Sequence, residues 1–171
     1  MTAAVIRPGT GSDLLAMQDI ERSAGELFRD LGMVEVADDE PAAVTELARY
    51  VDDGRAWVLD LGGDPAGYLL LDTVDGAAHI EQVSVRAGHA GRGYGRRLIE
   101  TAIGWASEHG YQSVTLTTFT EVPWNGPYYR RLGFRPIPSA EITPGLRALR
   151  EHEAQHGLDR WPRECLRLNL D

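Results

Sequence analysis

The sequence predicts an α/β fold built on one mixed sheet, and three observations carry that reading. Apolar and β-branched runs of strand length alternate with segments of helical spacing. Glycine and proline turns punctuate the boundaries, and no internal repeat or low-complexity linker interrupts the series. The chain has 171 residues, of which 43% are hydrophobic and 25% charged, which suits one domain over residues 1–171. The element order reads β-α-α-β-β-β-α-β-α-β-α-β.

Ala4 to Arg7 reads as the first strand, stopped by Pro8 and Gly9. Leu14, Leu15, Ile20, Ala24, Leu27 and Phe28 follow at helical spacing, with Ser12 or Asp13 as N-cap. A polar connection, GMVEVADDE, leads to a second helix expected near Pro41, with Val44, Leu47, Ala48 and Val51 as its stripe. Ala56–Asp60 and Ala66–Leu71 flank the turn signal LGGDP and predict a hairpin. After a turn at Val74–Gly76, Ala78–Val85 forms the next strand. Leu98, Ile99, Ala102, Ile103 and Ala106 mark an amphipathic helix closed by Gly110. Ser113–Thr118 is a strand, Pro127 opens a short helix through Leu132, and a strand starts at Gly133-Phe134. A helix over Gly145–Gln155 and a strand over Glu164–Leu168 complete the series.

The formal net charge is −9, and residues 1–55 hold twelve acidic side chains against five arginines. An acidic surface repels nucleic acid and anionic membrane, so neither is expected as a partner. No apolar run approaches the roughly 20 residues that cross a bilayer. The start, MTAAVIRPG, has no basic and apolar signal pattern, which predicts a cytoplasmic protein. Cys165 is the only cysteine, so neither an internal disulfide nor a cysteine metal cluster is expected, and no metal is anticipated. There is no lysine; all 17 basic residues are arginine, a bias that genome composition explains.

One stretch breaks the acidic pattern. In VSVRAGHAGRGYGRRLI, Gly91, Gly93 and Gly95 recur at alternate positions among Arg86, Arg92, Arg96 and Arg97, with no acid between Arg86 and Arg97. Glycine lets a backbone approach a ligand closely, and the N–H groups opening a helix are unpaired donors at its positive end. Strand, glycine turn and helix therefore predict an anion cradle. A P-loop is excluded because it needs a lysine. A dinucleotide fingerprint fits poorly, since the spacing is G-x-G-x-G and the next strand ends in Thr117 and Thr118 rather than an acid.

This stretch resembles the acetyl-coenzyme A motif of the GNAT N-acetyltransferase superfamily, in which a strand is followed by Q/R-x-x-G-x-G/A and a helix. The matching window is Ala90-Gly91-Arg92-Gly93-Tyr94-Gly95, with Ala90 departing from the first position. PWNGPYYRRLGF resembles a later motif of the same family, with Asn125 and then Tyr129 ahead of Leu-Gly-Phe, at a shorter Asn–Tyr spacing than is common there. The resemblance covers nearly the whole chain. It implies a mixed, mostly antiparallel central sheet of about six to seven strands, flanked by helices and splayed at the coenzyme site.

The resemblance implies acetyl-CoA as cosubstrate and acetyl transfer to a primary amine by direct attack in a ternary complex. Val83, Ser84, Val85, Gly91, Arg92, Gly93, Tyr94, Gly95, Arg96 and Asn125 would hold the coenzyme. Tyr129 would protonate the departing thiolate, with Tyr128 as fallback, and an N–H near Val83 would face the oxyanion. Glu81 is the candidate base; His79, on the same strand face, and an ordered water are alternatives. The acceptor would enter across residues 21–40, where Glu21, Glu26, Asp30, Glu35, Asp38, Asp39 and Glu40 with Phe28 and Met33 favour a small cationic amine. A protein or peptide amine, or a non-catalytic coenzyme sensor, are the competing readings. A homodimer is common among proteins of this kind, and the 145–155 helix would serve as a cover or a dimer contact.

Overall fold

The computed structural model describes residues 3–171, so Met1 and Thr2 of the MTAAVIRPG segment lie outside the described residues. Seven strands form one sheet in the order β1-β2-β3-β4-β5-β7-β6. They are β1 (Ala4–Pro8), β2 (Ala56–Leu61), β3 (Asp64–Val74), β4 (Ala77–Val85), β5 (Ser113–Phe119), β6 (Arg135–Pro136) and β7 (Arg163–Asn169). The helices are α1 (Leu14–Arg29), α2 (Val34–Ala37), α3 (Val44–Asp52), α4 (Tyr94–Glu108), α5 (Gly126–Arg131) and α6 (Pro144–Gln155). The chain divides into two compact units. One runs to Asp72 and includes Glu81–Ala102, and the other comprises Thr73–Ile80 and Ile103–Asp171.

In the first unit, β1 pairs antiparallel with β2, and β2 with β3. The LGGDP signal becomes a tight turn at Gly62 and Gly63, whose φ values of 65° and 96° suit glycine. Met17 and Ile20 of α1, Leu47 and Tyr50 of α3, and Val58, Tyr68 and Leu70 of the sheet share one apolar cluster. The start of α1 is fixed by Asp13, whose buried carboxylate accepts two hydrogen bonds from Arg7 (2.8 and 3.0 Å) and one from the Thr10 amide (2.8 Å). The next helix starts at Val44 rather than near Pro41, because the preceding backbone is tied to α1: Gln18 Nε2 donates to the Ala42 carbonyl at 3.0 Å. GMVEVADDE, read as a polar connection, contains the one-turn α2.

In the second unit β5 and β7 pair over their whole lengths, antiparallel. β6 is only two residues long and starts at Arg135 rather than Gly133, since Gly133, at φ 106°, is spent on the turn that delivers the buried Phe134. α6 covers the second unit's own core, burying Leu146 beside Ile137 and Cys165. Glu153 on α6 accepts from Thr117 Oγ1, from Arg150 (2.7 Å) and twice from Arg163 (both 3.1 Å). The Arg163 guanidinium lies 4.4 Å from the Phe119 ring centroid. The 145–155 helix is thus bound to β5 and β7 by ion pairing as well as by apolar contact.

Burial alone would raise the Glu153 pKa, but Arg163, Thr117 and Arg150 hold it below the usual glutamate value. A group depressed on folding contributes stability above its unfolded pKa, about 4.3, which is lost as pH falls through the folded value. Glu153→Gln should therefore cost about 3 kcal/mol at pH 7 and converge on the parent protein near pH 3. Thermal unfolding across that range checks this, and a pH-independent difference would contradict it.

Candidate active site

The glycine-arginine stretch, in the first unit, links β4 to α4. A 3₁₀ turn at Ala87–His89 leads into it, anchored by the Ala87 amide donating to Ser23 Oγ on α1 at 3.0 Å. Gly91 and Gly93 sit at φ 76° and 81°, a region that disfavours any side chain, and a Cβ on either would meet no atom within 4 Å. The loop thus curls around open space, and the first N–H groups of α4, at Tyr94, Gly95 and Arg96, have no intrahelical acceptor. Gly91, Arg92, Gly93 and Arg96 are exposed. Of the four arginines, Arg86 donates to the Pro65 carbonyl, Arg96 pairs with Glu100 at 2.8 Å, and Arg97 donates to the Ala4 carbonyl. Arg92 alone has no hydrogen bond or ion pair among the described residues. Beside it, His89 keeps its buried Nδ1 unpartnered.

The same unit carries the β4 residues. Ser84 is buried and accepts from Gln82 Nε2 at 2.7 Å, so what it offers outward is backbone. Gly67 backs this segment closely: a Cβ there would stand 3.0 Å from the Ser84 carbonyl. Val83 and Val85 are half-buried and Glu81 is exposed. Glu81 also acts on Tyr50, whose hydroxyl donates to Asp72 Oδ2 at 3.1 Å and is held protonated by burial, then by Glu81 and Asp72.

In the second unit, β4 and β5 pair in parallel at Ala78↔Val114 and His79↔Thr115. His79 is buried, with Nδ1 2.8 Å from Thr115 Oγ1. The face shared by His79 and Glu81 therefore splits into a buried, bonded imidazole and a solvent-facing carboxylate. Tyr129 is buried on α5, with its ring edge-on to Tyr128 and Phe134, each at a centroid distance of 5.8 Å. Burial, reinforced by Tyr128, raises its pKa, so the hydroxyl stays protonated at neutral pH. Asn125 is the N-cap residue of α5, yet its side chain does not cap: Nδ2 donates to the Trp124 carbonyl at 3.2 Å. Thus Glu81, Val83, Ser84, Val85 and the glycine loop share one unit, and Asn125 and Tyr129 share the other.

Of the acidic residues expected to line the acceptor side, Glu26, Asp30, Glu35, Asp38, Asp39 and Glu40 are exposed, and Glu26 and Asp38 pair with Arg29. Met33 is buried in the core. Only Glu21 is partly buried. Its Oε2 is buried without a hydrogen-bond partner.

A model of the acetyltransferase (GNAT) family matches residues 16–134. The chain belongs to that family. Solved structures agree on the fold. The ribosomal-protein-S18-alanine N-acetyltransferase of Escherichia coli superposes with a TM-score of 0.69 at 17% identity, covering 99% of this chain and 95% of that one. The PaiA N-acetyltransferase of Thermoplasma acidophilum, in complex with coenzyme A, gives 0.73 at 11% identity over 98% and 99%. Rv2747 of Mycobacterium tuberculosis, in complex with CoA and NLQ, gives 0.69 at 19% identity over 98% and 99%. Among the described residues of this acetyltransferase, no helix is long and apolar enough to cross a membrane, and no group of three or more His, Cys, Asp or Glu is arranged to hold a metal.

Sequence reading missed Ser23, Thr115 and Gly126. Ser23 had no signal, being one polar residue on a helix. Thr115 lay within a strand of alternating threonines that invited only a β-propensity argument. Gly126 follows the motif asparagine, and its lack of a side chain is required by packing: a Cβ would stand 2.5 Å from the Thr120 carbonyl and 3.0 Å from that of Phe119. Gly126→Ala should therefore displace α5 and cost about 2 kcal/mol or more. For a chain of this size, that lowers the melting temperature by roughly 5 °C or more. An unchanged melting curve would show that α5 is not held by this approach.

Proposed function

We propose that this acetyltransferase moves the acetyl group of acetyl-CoA to the primary amine of a small cationic molecule by direct attack in a ternary complex, with residues 1–171 working as one domain. The observation that carries the donor half is the glycine loop at the start of α4: open space, unpaired N–H groups and one uncommitted arginine in a chain of net charge −9. Such a cradle fits a pyrophosphate, whose oxygens need many donors at close range. Gly91, Gly93, Tyr94, Gly95 and Arg96 would bind through backbone, and Arg92 through its guanidinium. The backbone of Val83, Ser84 and Val85 would bond the extended arm as an added strand, and Asn125 would bind through its side-chain amide. The coenzyme A in the PaiA and Rv2747 complexes supports the same cosubstrate here.

The bound thioester supplies an acyl carbon; the rest is done by the chain and the acceptor. The amine must be neutral to attack, and Glu81, exposed on β4, would take its proton directly or through water. An N–H near Val83 would stabilise the oxyanion. As the carbon–sulfur bond breaks, the Tyr129 hydroxyl would donate to the sulfur. With its pKa raised, Tyr129 is always protonated at neutral pH and serves chiefly as a hydrogen-bond donor to the thiolate. The acidic first half of the chain supports a cationic acceptor. The likeness to a ribosomal-protein acetyltransferase keeps a peptide amine as the second reading.

Calorimetry with acetyl-CoA, followed by an amine and peptide panel read as free thiol, tests both halves. Arg92→Ala should weaken coenzyme binding about tenfold without lowering the melting temperature; equal binding would remove Arg92 from the cradle. Tyr129→Phe should cut kcat by roughly 10² and spare coenzyme affinity. Unchanged turnover would leave Tyr129 a core residue only.

A further inference from the structure

His152 and His156 stand one turn apart at the C-terminal end of α6, in the sequence HEAQH, and both are exposed. Residues four apart share a helix face. The two rings lie side by side, with centroids 4.2 Å apart and planes tilted by 50°. His156 Nδ1 is 2.9 Å from the His152 carbonyl. A carbonyl only accepts, so this nitrogen carries the proton and Nε2 keeps its lone pair. An imidazole whose N–H is held by a carbonyl is the usual form of a metal-binding histidine. Neither ring makes any other hydrogen bond or ion pair among the described residues. The position also suits a cation, because the last turn of a helix is the negative end of its dipole. Ala148 and Leu149, one turn earlier along the helix from His152, carry no charge.

We propose that His152 and His156 form a two-histidine chelate for a divalent ion such as Zn²⁺, Ni²⁺ or Cu²⁺, with water filling the remaining positions. Imidazole suits these ions better than it suits Mg²⁺, Ca²⁺ or Mn²⁺. In metalloproteases, H-E-x-x-H on a helix holds zinc by its histidines and uses the glutamate as general base. Here Glu153 is committed to Thr117, Arg150 and Arg163, so the pair is not a hydrolytic centre. No third protein ligand stands beside it among the described residues. Two protein ligands make an exchangeable site rather than a closed structural one. A bound ion would tie the last turn of α6 to the helix end. Only the folded helix brings the two rings together, so the ion would stabilise the second unit, whose core α6 covers.

The test uses the untagged, chelator-treated protein with Zn²⁺ alone, followed by calorimetry and by thermal unfolding. One ion should bind per chain, and at a hundred times Kd the melting temperature should rise by roughly 5–10 °C. His152→Gln and His156→Gln should each weaken binding about tenfold or more, because a single imidazole loses the gain of chelation. Both rings are exposed, so the metal-free melting temperature of either variant should stay close to that of the parent. His109→Gln is the control. His109 is exposed and its Nδ1 meets the Trp105 carbonyl at 2.8 Å in the same way, but no histidine stands four residues from it. That variant should bind Zn²⁺ as the parent does. Cu²⁺ should bind more tightly than Ni²⁺, and Ni²⁺ more tightly than Mn²⁺. Absence of Zn²⁺ binding by the parent, binding that survives both His152→Gln and His156→Gln, or an equal loss in His109→Gln would overturn the chelate. Binding without a rise in melting temperature would overturn its stabilising role.

Discussion

The parallel pairing of β4 with β5 is held at one buried polar contact, and the local register of the two strands depends on it. At the last register position, His79 Nδ1 and Thr115 Oγ1 are 2.8 Å apart, both almost fully withdrawn from solvent. A buried polar pair of this kind is costly to break, so it fixes the register locally. β4 itself continues as strand to Val85. Backbone N–H and C=O groups do not stay unpaired at a strand edge without consequence. The buried imidazole also narrows the acid–base question: a histidine committed to Thr115 inside the sheet is poorly placed to meet an acceptor, whereas Glu81 is exposed.

Charge is distributed on the same logic. Three of the four arginines around the glycine loop are engaged by the protein itself, with Pro65, Ala4 and Glu100. Two of them tie the loop's flanks to β3 and β1 and so set its shape, which leaves Arg92 as the uncommitted one. Preorganised N–H groups lose no side-chain entropy on binding, unlike a cluster of free arginines. On the proposed reading the departure at Ala90 from the family pattern would be tolerated, because the position lies in extended backbone before Gly91 and a backbone cradle would not depend on its side chain.

Much of this was legible in the sequence because it is written in backbone chemistry. Alternate glycines predict positive φ, and Gly91 and Gly93 adopt it; helical spacing over Leu98–Ala106 predicts the face that α4 buries. Misreadings occurred where tertiary contacts override local preference. Pro41 is a good helix opener, but the backbone at Ala42 is held by Gln18 and Glu21, so α3 opens at Val44. Phe134 suggests a strand, but Gly133 first has to reverse the chain. The acidic residues of the first half were legible as charge and illegible as a site. Sequence gives each the same weight, and only packing separates the exposed members of the group from Glu21.

That separation bears on how one acidic protein would manage two oppositely charged substrates. Net charge acts at long range, and salt screens it over about 8 Å at physiological ionic strength. Within that distance the local groups decide. At the loop these are Arg92 and the N–H groups of α4, with Glu100 paired to Arg96. At Glu21 the dominant influence is burial, which makes a carboxylate expensive. An anionic donor and a cationic acceptor can thus each meet a favourable local field while the overall acidity assists only the second. On this view the excess negative charge is not in conflict with coenzyme binding. On the proposed reading its long-range effect would fall on the acceptor, favouring the approach of a cationic amine.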